Sequence, residues 1–300
     1  MWPSLPYKKW KDTKNTLHMW MQIIGKVKLE LSPFLNQWWE VAFYVSATGI
    51  TTGKIPYNGE LLQIDFDFQK HILIFSTSWG KQNTLPLKPQ TVATFYGQFT
   101  KTLKSMGIDV SIWPTPVEVE NPIPFAKDTT HLSYDNKYVE QWWHILVKTI
   151  VVFEQFRTSF RGKSSPVQFY WGSFDLNSTR FSGKKVTPPA YRGTMGKIMK
   201  YAENEENFAF GFWPGDEKFP HPAFYSYLYP QPSGFDTISL SDGASFNEKL
   251  GECILPYEIV IKSNTPEKVL MHFLDSTYHE SAKLAKWDMK ALHTEVPVIH

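Results

Sequence analysis

The chain has 300 residues with 31 Lys+Arg against 29 Asp+Glu, a net charge of +2, and its 12 Trp, 14 Tyr and 22 Phe make 16% of it aromatic. That aromatic content excludes a mainly disordered chain, and so even a charge balance gives no electrostatic footprint for a nucleic-acid partner. The single cysteine, Cys253, can make neither an internal disulfide nor a zinc site that needs several thiolates.

Residues 13–31, with Asp12 as cap, carry Leu17, Trp20, Met21, Ile24, Val27 and Leu31 at spacings of three and four, which predicts an amphipathic helix. Residues 40–48 and 61–68 alternate, and a turn at Gln69-Lys70 leads to 71–78. These read as three strands, the last two a hairpin. Pro89 suits the start of the next helix, whose stripe is Val92, Phe95, Tyr96, Phe99, Leu103 and Met106 and whose end is marked by Gly107. A short strand is expected at 108–113. Pro114, Pro116, Pro122 and Pro124 then forbid a helix interior and make 114–134 an extended connection.

A second long helix is expected over about 136–160, capped by Asp135, with strands at 167–175, 208–213 and 223–229. The polar stretch 177–207 reads as a mobile flap or insertion. Thr265-Pro266-Glu267 starts a last helix running to about 286, with Thr as cap and Pro at the first position. The fold class is α+β, antiparallel sheets with flanking helices. The expected organisation is a half at 1–113, the connection at 114–134, a half at 135–288 and a tail at 289–300, all in one compact unit. The order helix, three strands, helix occurs in both 13–106 and 136–286, which suggests two related halves with an aromatic-lined cleft at their joint. No run approaches the roughly 18 apolar residues of a membrane span, and the first residues lack the apolar stretch of a secretory signal. With unpaired Cys253, these features point to the cytoplasm.

Several segments together resemble an uncharacterised bacterial family known as domain of unknown function 5996. They are Thr16-Leu17-His18-Met19-Trp20, Ile64-Asp65-Phe66-Asp67-Phe68, Pro122-Ile123-Pro124-Phe125, Thr130 to Asp135, Ser165-Pro166-Val167, Trp171 to Leu176, Thr179 to Gly183, Gly211 to Gly215 and Pro222-Ala223-Phe224-Tyr225. The resemblance covers roughly residues 2–290 and implies one family unit, not two grafted modules. It brings no activity, cofactor or catalytic residue with it. Gln37 and Gln168 stand where the family pattern has histidine, which weakens a metal site at those places.

The side chains themselves offer several constellations. His18, Gln22 and Lys26 are four apart and line one flank of the first helix, either a solvated rim or the polar wall of a pocket. In the second case His18 is an acid or base and Lys26 an anion contact. His131, with Tyr134 and Asp135, lies in an irregular segment that can reach a cleft. On a strand, Trp171, Ser173 and Asp175 would share a face, with Arg180 free to pair with Asp175 or to hold a substrate anion. Tyr225, Tyr227 and Tyr229 line one strand face, suited to a sugar, an aromatic ligand or a subunit interface. Asp65 and Asp67 share a face and read as solvated or as an acid/base pair.

The leading expectation is a small-molecule enzyme of undetermined reaction. His18, His131 and Asp175 would be its catalytic residues. Trp20, Gln22, Lys26, Tyr134, Trp171, Arg180, Trp213, Tyr225 and Tyr227 would bind the substrate. The expected partner is a small-molecule ligand, with neither nucleic acid nor membrane. No cofactor is identified and no metal is assigned, although His18, His131, Asp175 and Glu252 form a chemically acceptable ligand set. The alternatives are a non-catalytic binding protein for a sugar or aromatic metabolite and a homo-oligomeric interaction protein.

Overall fold

A computed structural model describes residues 1–295. Among these are seven α-helices and two antiparallel sheets of six strands each, an α+β architecture. Contacts divide the chain into two compact units. The N-terminal unit comprises Leu5–Val147 and Phe169–Phe174, and the C-terminal unit comprises Met1–Ser4, Lys148–Gln168 and the chain from Asp175 on. The Pro-rich stretch 114–126 falls inside the N-terminal unit. No helix among the described residues is long and apolar enough to cross a membrane.

Helix α1 (Tyr7–Leu31) dominates the N-terminal unit. It starts after Pro6, so Asp12 lies inside it, where its carbonyl accepts the Thr16 hydroxyl at 3.0 Å. Every residue from Thr16 to Lys28 is buried. The expected one-sided stripe is therefore only part of the core surface: α1 is a central helix buried all round, and its polar side chains must find partners inside the protein.

Six strands, not three, follow: β1 (Tyr44–Val45), β2 (Gly49–Thr51), β3 (Ile55–Tyr57), β4 (Glu60–Asp67), β5 (Ile72–Thr77) and β6 (Gln82–Pro86). They run in the order β1-β2-β4-β5-β6, with β3 paired to β4. The predicted β4–β5 hairpin is present. Its buried Leu62, Ile64, Phe66, Leu73 and Phe75 belong to the same core as Phe95 and Phe99 of α2 (Val92–Ser105), with Phe75 and Phe99 5.6 Å apart. Helix α2 begins three residues later than Pro89 suggests, because Thr91 is the cap, its Oγ1 accepting the Thr94 N–H at 3.1 Å. Residues 108–113 form no strand.

Helix α3 (Asn136–Arg157) is capped by Asp135, whose Oδ1 accepts the Lys137 N–H at 3.0 Å. The C-terminal sheet has the order β11-β12-β10-β9-β8-β7. Its members are β7 (Gln168–Tyr170), β8 (Asp175–Lys185), β9 (Glu205–Trp213), β10 (Ala223–Tyr229), β11 (Ser245–Asn247) and β12 (Glu252–Pro256). The strand expected at 167–175 is broken by a turn over 171–174, where Phe174 has φ 60°. The stretch 177–207, expected to be a flap, is instead strand β8 and helix α4 (Gly193–Ala202). Its polar side chains alternate with buried Leu176, Ser178 and Arg180, and pairing with β9 satisfies its backbone. One face of this sheet carries Phe208, Phe210, Phe212 and Phe224, packed against Phe153 and Phe156 of α3 and Tyr278 of α6 (Pro266–Leu284). Two short helices, α5 (Tyr257–Lys262) and α7 (Met289–Leu292), complete this unit. The expected tail thus begins as a helix, and residues 296–300 lie outside the described residues.

Candidate functional site

On α1 the three polar residues at four-residue spacing are all buried, which removes the solvated-rim reading. His18 Nε2 lies 2.9 Å from the Gly172 carbonyl oxygen. A carbonyl only accepts, so Nε2 carries the proton. Burial first, and then the Lys14 charge, hold the His18 pKa down to about 3 against the Gly172 and Trp171 backbone, with the His131 charge a smaller lowering influence. His18 is therefore neutral at physiological pH, a fixed hydrogen-bond donor, not a titrating acid. Gln22 reaches the Pro-rich stretch: its Nε2 donates to the Val117 carbonyl at 2.6 Å and its Oε1 accepts the Val117 N–H at 2.9 Å. Its Nε2 also lies 3.2 Å from His18 Nε2, a donor–donor approach once His18 keeps its proton for Gly172.

Two lysines follow on the same helix. Lys28, 4% exposed, donates to the Ala42 and Thr52 carbonyls at 2.5 Å each. Lys26, 5% exposed, has no hydrogen bond or ion pair among the described residues. Burial pulls its amine down to about 8.

The turn after β7 supplies the other wall. The Trp171 indole lies against Gly25 of α1, where a Cβ would come within 2.2 Å of the ring, and its Nε1 donates to the Val41 carbonyl at 3.0 Å. Gly172 leaves room for Glu118, whose Oε1 would stand 2.1 Å from an added Cβ. A glycine lets another group come close to the backbone, and the group that approaches here is a carboxylate of the chain itself.

His131 sits in a segment that caps α2: its carbonyl accepts the Val92 N–H at 3.0 Å and the Asp128 carbonyl accepts the Ala93 N–H at 2.9 Å. Its Nδ1 donates to Asp128 Oδ2 at 2.7 Å. Asp128 is fully buried, and its Oδ1 also takes the Thr130 and His131 N–H groups at 3.1 Å each. The carboxylate thus fixes the imidazole's orientation and tautomer and leaves the lone pair on Nε2. The His131 side chain is 30% exposed, so that lone pair belongs to a group open to solvent.

Two predicted wall residues of this unit are core instead. Trp20 is fully buried, stacked on Phe95 at 4.6 Å and on Tyr134 at 5.4 Å. The Tyr134 hydroxyl donates to His71 Nδ1 at 3.1 Å, and His71 Nε2 donates to Glu140 at 2.9 Å. Burial pushes the Tyr134 phenol pKa far up, with Glu140 adding to it. Asp67 is also structural: its Oδ1 accepts the Gln69 and Lys70 N–H groups at 3.0 and 2.8 Å, which closes the β4–β5 turn.

In the C-terminal unit the predicted residues gather on the face of the sheet away from the phenylalanines. Asn177, Gly211, Tyr225 and Ile254 are aligned across four strands. Gly211 has no side chain to obstruct the Tyr225 ring, whose Cζ and hydroxyl would come within 2.4 Å of a Cβ there. The ring therefore lies across β9, and its hydroxyl donates to Asp175 Oδ2 while accepting from Asn177 Nδ2 at 2.9 Å. Tyr227 lies parallel to Tyr225, 6.3 Å away, and donates to Glu203 Oε1 at 3.2 Å. Asn207 holds the other Glu203 oxygen at 2.6 Å. Burial, and then the Asp175 charge, push Glu252 up to about 7; burial raises Glu203 as well. Trp213 ends β9 half-buried and stacks on Phe219 at 5.8 Å.

Arg180 takes no part in this cluster. It alternates to the opposite face from Asn177 and Thr179, where its guanidinium lies 3.6 Å from the Phe156 ring centre and 4.3 Å from that of Tyr278 and donates to the Phe156 carbonyl. It is a cation enclosed by rings, neither a partner of Asp175 nor a substrate contact. The break at 171–174 likewise prevents Trp171, Ser173 and Asp175 from sharing one strand face, and Ser173 is exposed. Among the described residues no three His, Cys, Asp or Glu side chains group as ligands for a metal ion, so the set of His18, His131, Asp175 and Glu252 is not assembled as one.

Sequence reading missed Asp128, Glu203, Asn177 and Asn207. Asp128 had a usable signal, an acid three residues before a histidine in an irregular segment. Gly211 had another, a glycine inside a strand between aromatic neighbours.

The family of unknown function DUF5996 matches residues 2–294 of the chain. No curated protein and no solved structure matches it significantly.

Proposed function

The chain belongs to the DUF5996 family, and from its own side chains we propose that it is a small-molecule enzyme whose proton-transfer group is His131, held by Asp128. One observation carries this reading. A fully buried carboxylate with three hydrogen bonds fixes a partly exposed imidazole with Nε2 as its free lone pair. That is what a general base requires: a defined tautomer, a defined direction and access to substrate. His18, whose proton affinity the His131 charge lowers slightly, is a neutral donor; Gln22 and Lys26 share its helix flank, and Trp171 packs against Gly25 of the same helix. Buried, unpaired Cys253, its thiol pushed up to about 12 by burial and then by Glu252, supports a reducing cytoplasmic setting.

The test is a turnover screen. Wild type, His131→Gln and Asp128→Asn are each incubated with a panel of carboxylated and phosphorylated metabolites and with small aldehydes and ketones, followed by proton NMR. Wild type is expected to turn over at least one member, and each variant to lose about 10²–10⁴-fold of that rate. Absence of any wild-type turnover, or full activity in both variants, sinks the reading.

A binding-protein reading for a sugar or aromatic metabolite draws on the C-terminal sheet. Its parallel Tyr225 and Tyr227 rings lie between carboxyl groups. It would be preferred if a ligand bound without turnover and lost affinity in Tyr227→Ala.

A further inference from the structure

Two lysines on one helix, two residues apart and equally buried, have opposite surroundings. Lys28 gives its ammonium to two carbonyls, Ala42 and Thr52, and lies 5.4 Å from the Tyr44 ring. That is a structural lysine. Lys26 has burial without the compensation: among the described residues no carboxylate, carbonyl or hydroxyl meets its Nζ. An ammonium largely withdrawn from water without a protein partner is costly, so burial lowers this amine to about 8 and makes it easier to deprotonate than a surface lysine. Its neighbours toward the N-terminus on the same flank, Gln22 and His18, are themselves held in place, Gln22 by Val117 and His18 by Gly172. Lys26 thus shares a helix flank with two fixed polar side chains, and among the described residues no counter-charge meets its amine.

We propose that Lys26 is the site at which an aldehyde or ketone substrate is captured as a Schiff base. Among the described residues no carboxylate stands against this amine, and its lowered proton affinity makes the neutral form more accessible than at a surface lysine. A neutral amine is a nucleophile, and the neutral imine that follows needs no counter-charge. In the step, the Nζ lone pair forms a bond to the carbonyl carbon while the C=O π pair moves to oxygen, which takes up a proton. The resulting carbinolamine loses that oxygen as water after a second protonation, leaving C=N. The two protons taken up by oxygen equal the two lost from the amine, so no other reactant is consumed.

The proposal deepens the reading above, since it rests on the α1 flank being the substrate site. The experiment is reductive trapping of the full-length protein with propanal or pyruvate in the presence of cyanoborohydride, with peptide mass spectrometry to locate the adduct. Lys26 is expected to acquire the reduced adduct at least about 10-fold faster than Lys28 or the surface lysines. Lys26→Arg keeps the charge but cannot form the imine, and should abolish the fast adduct. Lys26→Met is run beside it, so that a misfolded arginine variant cannot imitate the result. Adduct confined to surface lysines, or an unchanged fast adduct in both variants, overturns the proposal. Fast trapping at Lys26 without turnover of any metabolite keeps the proposal and removes the His131 reading. Turnover that needs His131 but is unaffected in Lys26→Arg does the reverse.

Discussion

In each unit a large aromatic side chain lies against a glycine beside polar groups, and the two cases do different work. In the N-terminal unit Trp171 covers Gly25 of a helix and gives its N–H to the Val41 carbonyl. In the C-terminal unit Tyr225 covers Gly211 of a strand and gives its O–H to the Asp175 carboxylate. The first contact fixes the turn that also presents the Gly172 carbonyl to His18. The second fixes a carboxylate. A missing Cβ therefore serves as a positioning device in both, yet the polar groups it organises differ in kind. Around Tyr225 the oxygens of Asp175 and Glu203 receive donors from within the cluster. Along α1 the chain satisfies Lys28, whereas Lys26 has no partner among the described residues. An internally satisfied cluster rigidifies, whereas an unsatisfied buried amine holds strain that a ligand can relieve.

The comparison breaks most visibly if the glycines are filled. Gly25→Ala and Gly211→Ala should each destabilise by about 3 kcal/mol, since an atom must enter space held by a ring and, at Gly211, also by the Leu176 carbonyl 2.5 Å away. Urea unfolding followed by circular dichroism measures this. If either variant unfolds at the wild-type midpoint, the aromatic-over-glycine contact is not what organises that unit.

The two lysines sharpen the contrast by moving in opposite directions. Lys28→Met should lose about 1–3 kcal/mol, because two buried carbonyls lose their donor. Lys26→Met should gain about 1–3 kcal/mol at pH 7, because a buried charge is removed. The sign depends on pH. The folded amine titrates near 8 and the unfolded one near 10.5, so the folded state binds fewer protons between those values. Wild-type stability from this group falls as pH drops from 10.5 to 8 and is constant below. The advantage of Lys26→Met should therefore be full below pH 8 and vanish above about 10.5. A pH series of thermal melts decides it, and an advantage that persists above pH 11 would point to packing, not charge.

Glu252 gives a smaller effect on the acidic side. Its folded value of about 7 lies above the ordinary 4.5, so the stability tied to its protonated form is complete below 4.5 and lost as pH rises to 7. Glu252→Gln should be more stable than wild type at pH 8 and no more stable at pH 4, by the same melts. Smallest of all, Tyr225→Phe should cost about 1 kcal/mol through the lost bond to Asp175. No change in its unfolding midpoint would mean that bond does not hold the carboxylate.

Patterns that depend on neighbours in the chain were legible. The β4–β5 hairpin, strand β10 with its tyrosine face, the Asp135 cap and the Pro266 helix start all follow from alternation, propensity or capping within a few residues. Some of the polar residues singled out do share a neighbourhood: His18 and Gln22 lie side by side on α1, and Asp175, Tyr225 and Tyr227 lie together in the C-terminal unit. Tertiary structure alone decided which face each occupies and what it touches. Trp20 and Lys26 sit on the same buried helix, yet one is packed between rings and the other has no partner among the described residues. Arg180 carries the charge of an anion binder but alternates into a shell of aromatics. Asp128 became visible only when the loop at the start of α2 folded it beneath His131. The physical reason is range: periodicity and capping act over a few residues, whereas desolvation and hydrogen bonding depend on segments brought together from far along the chain.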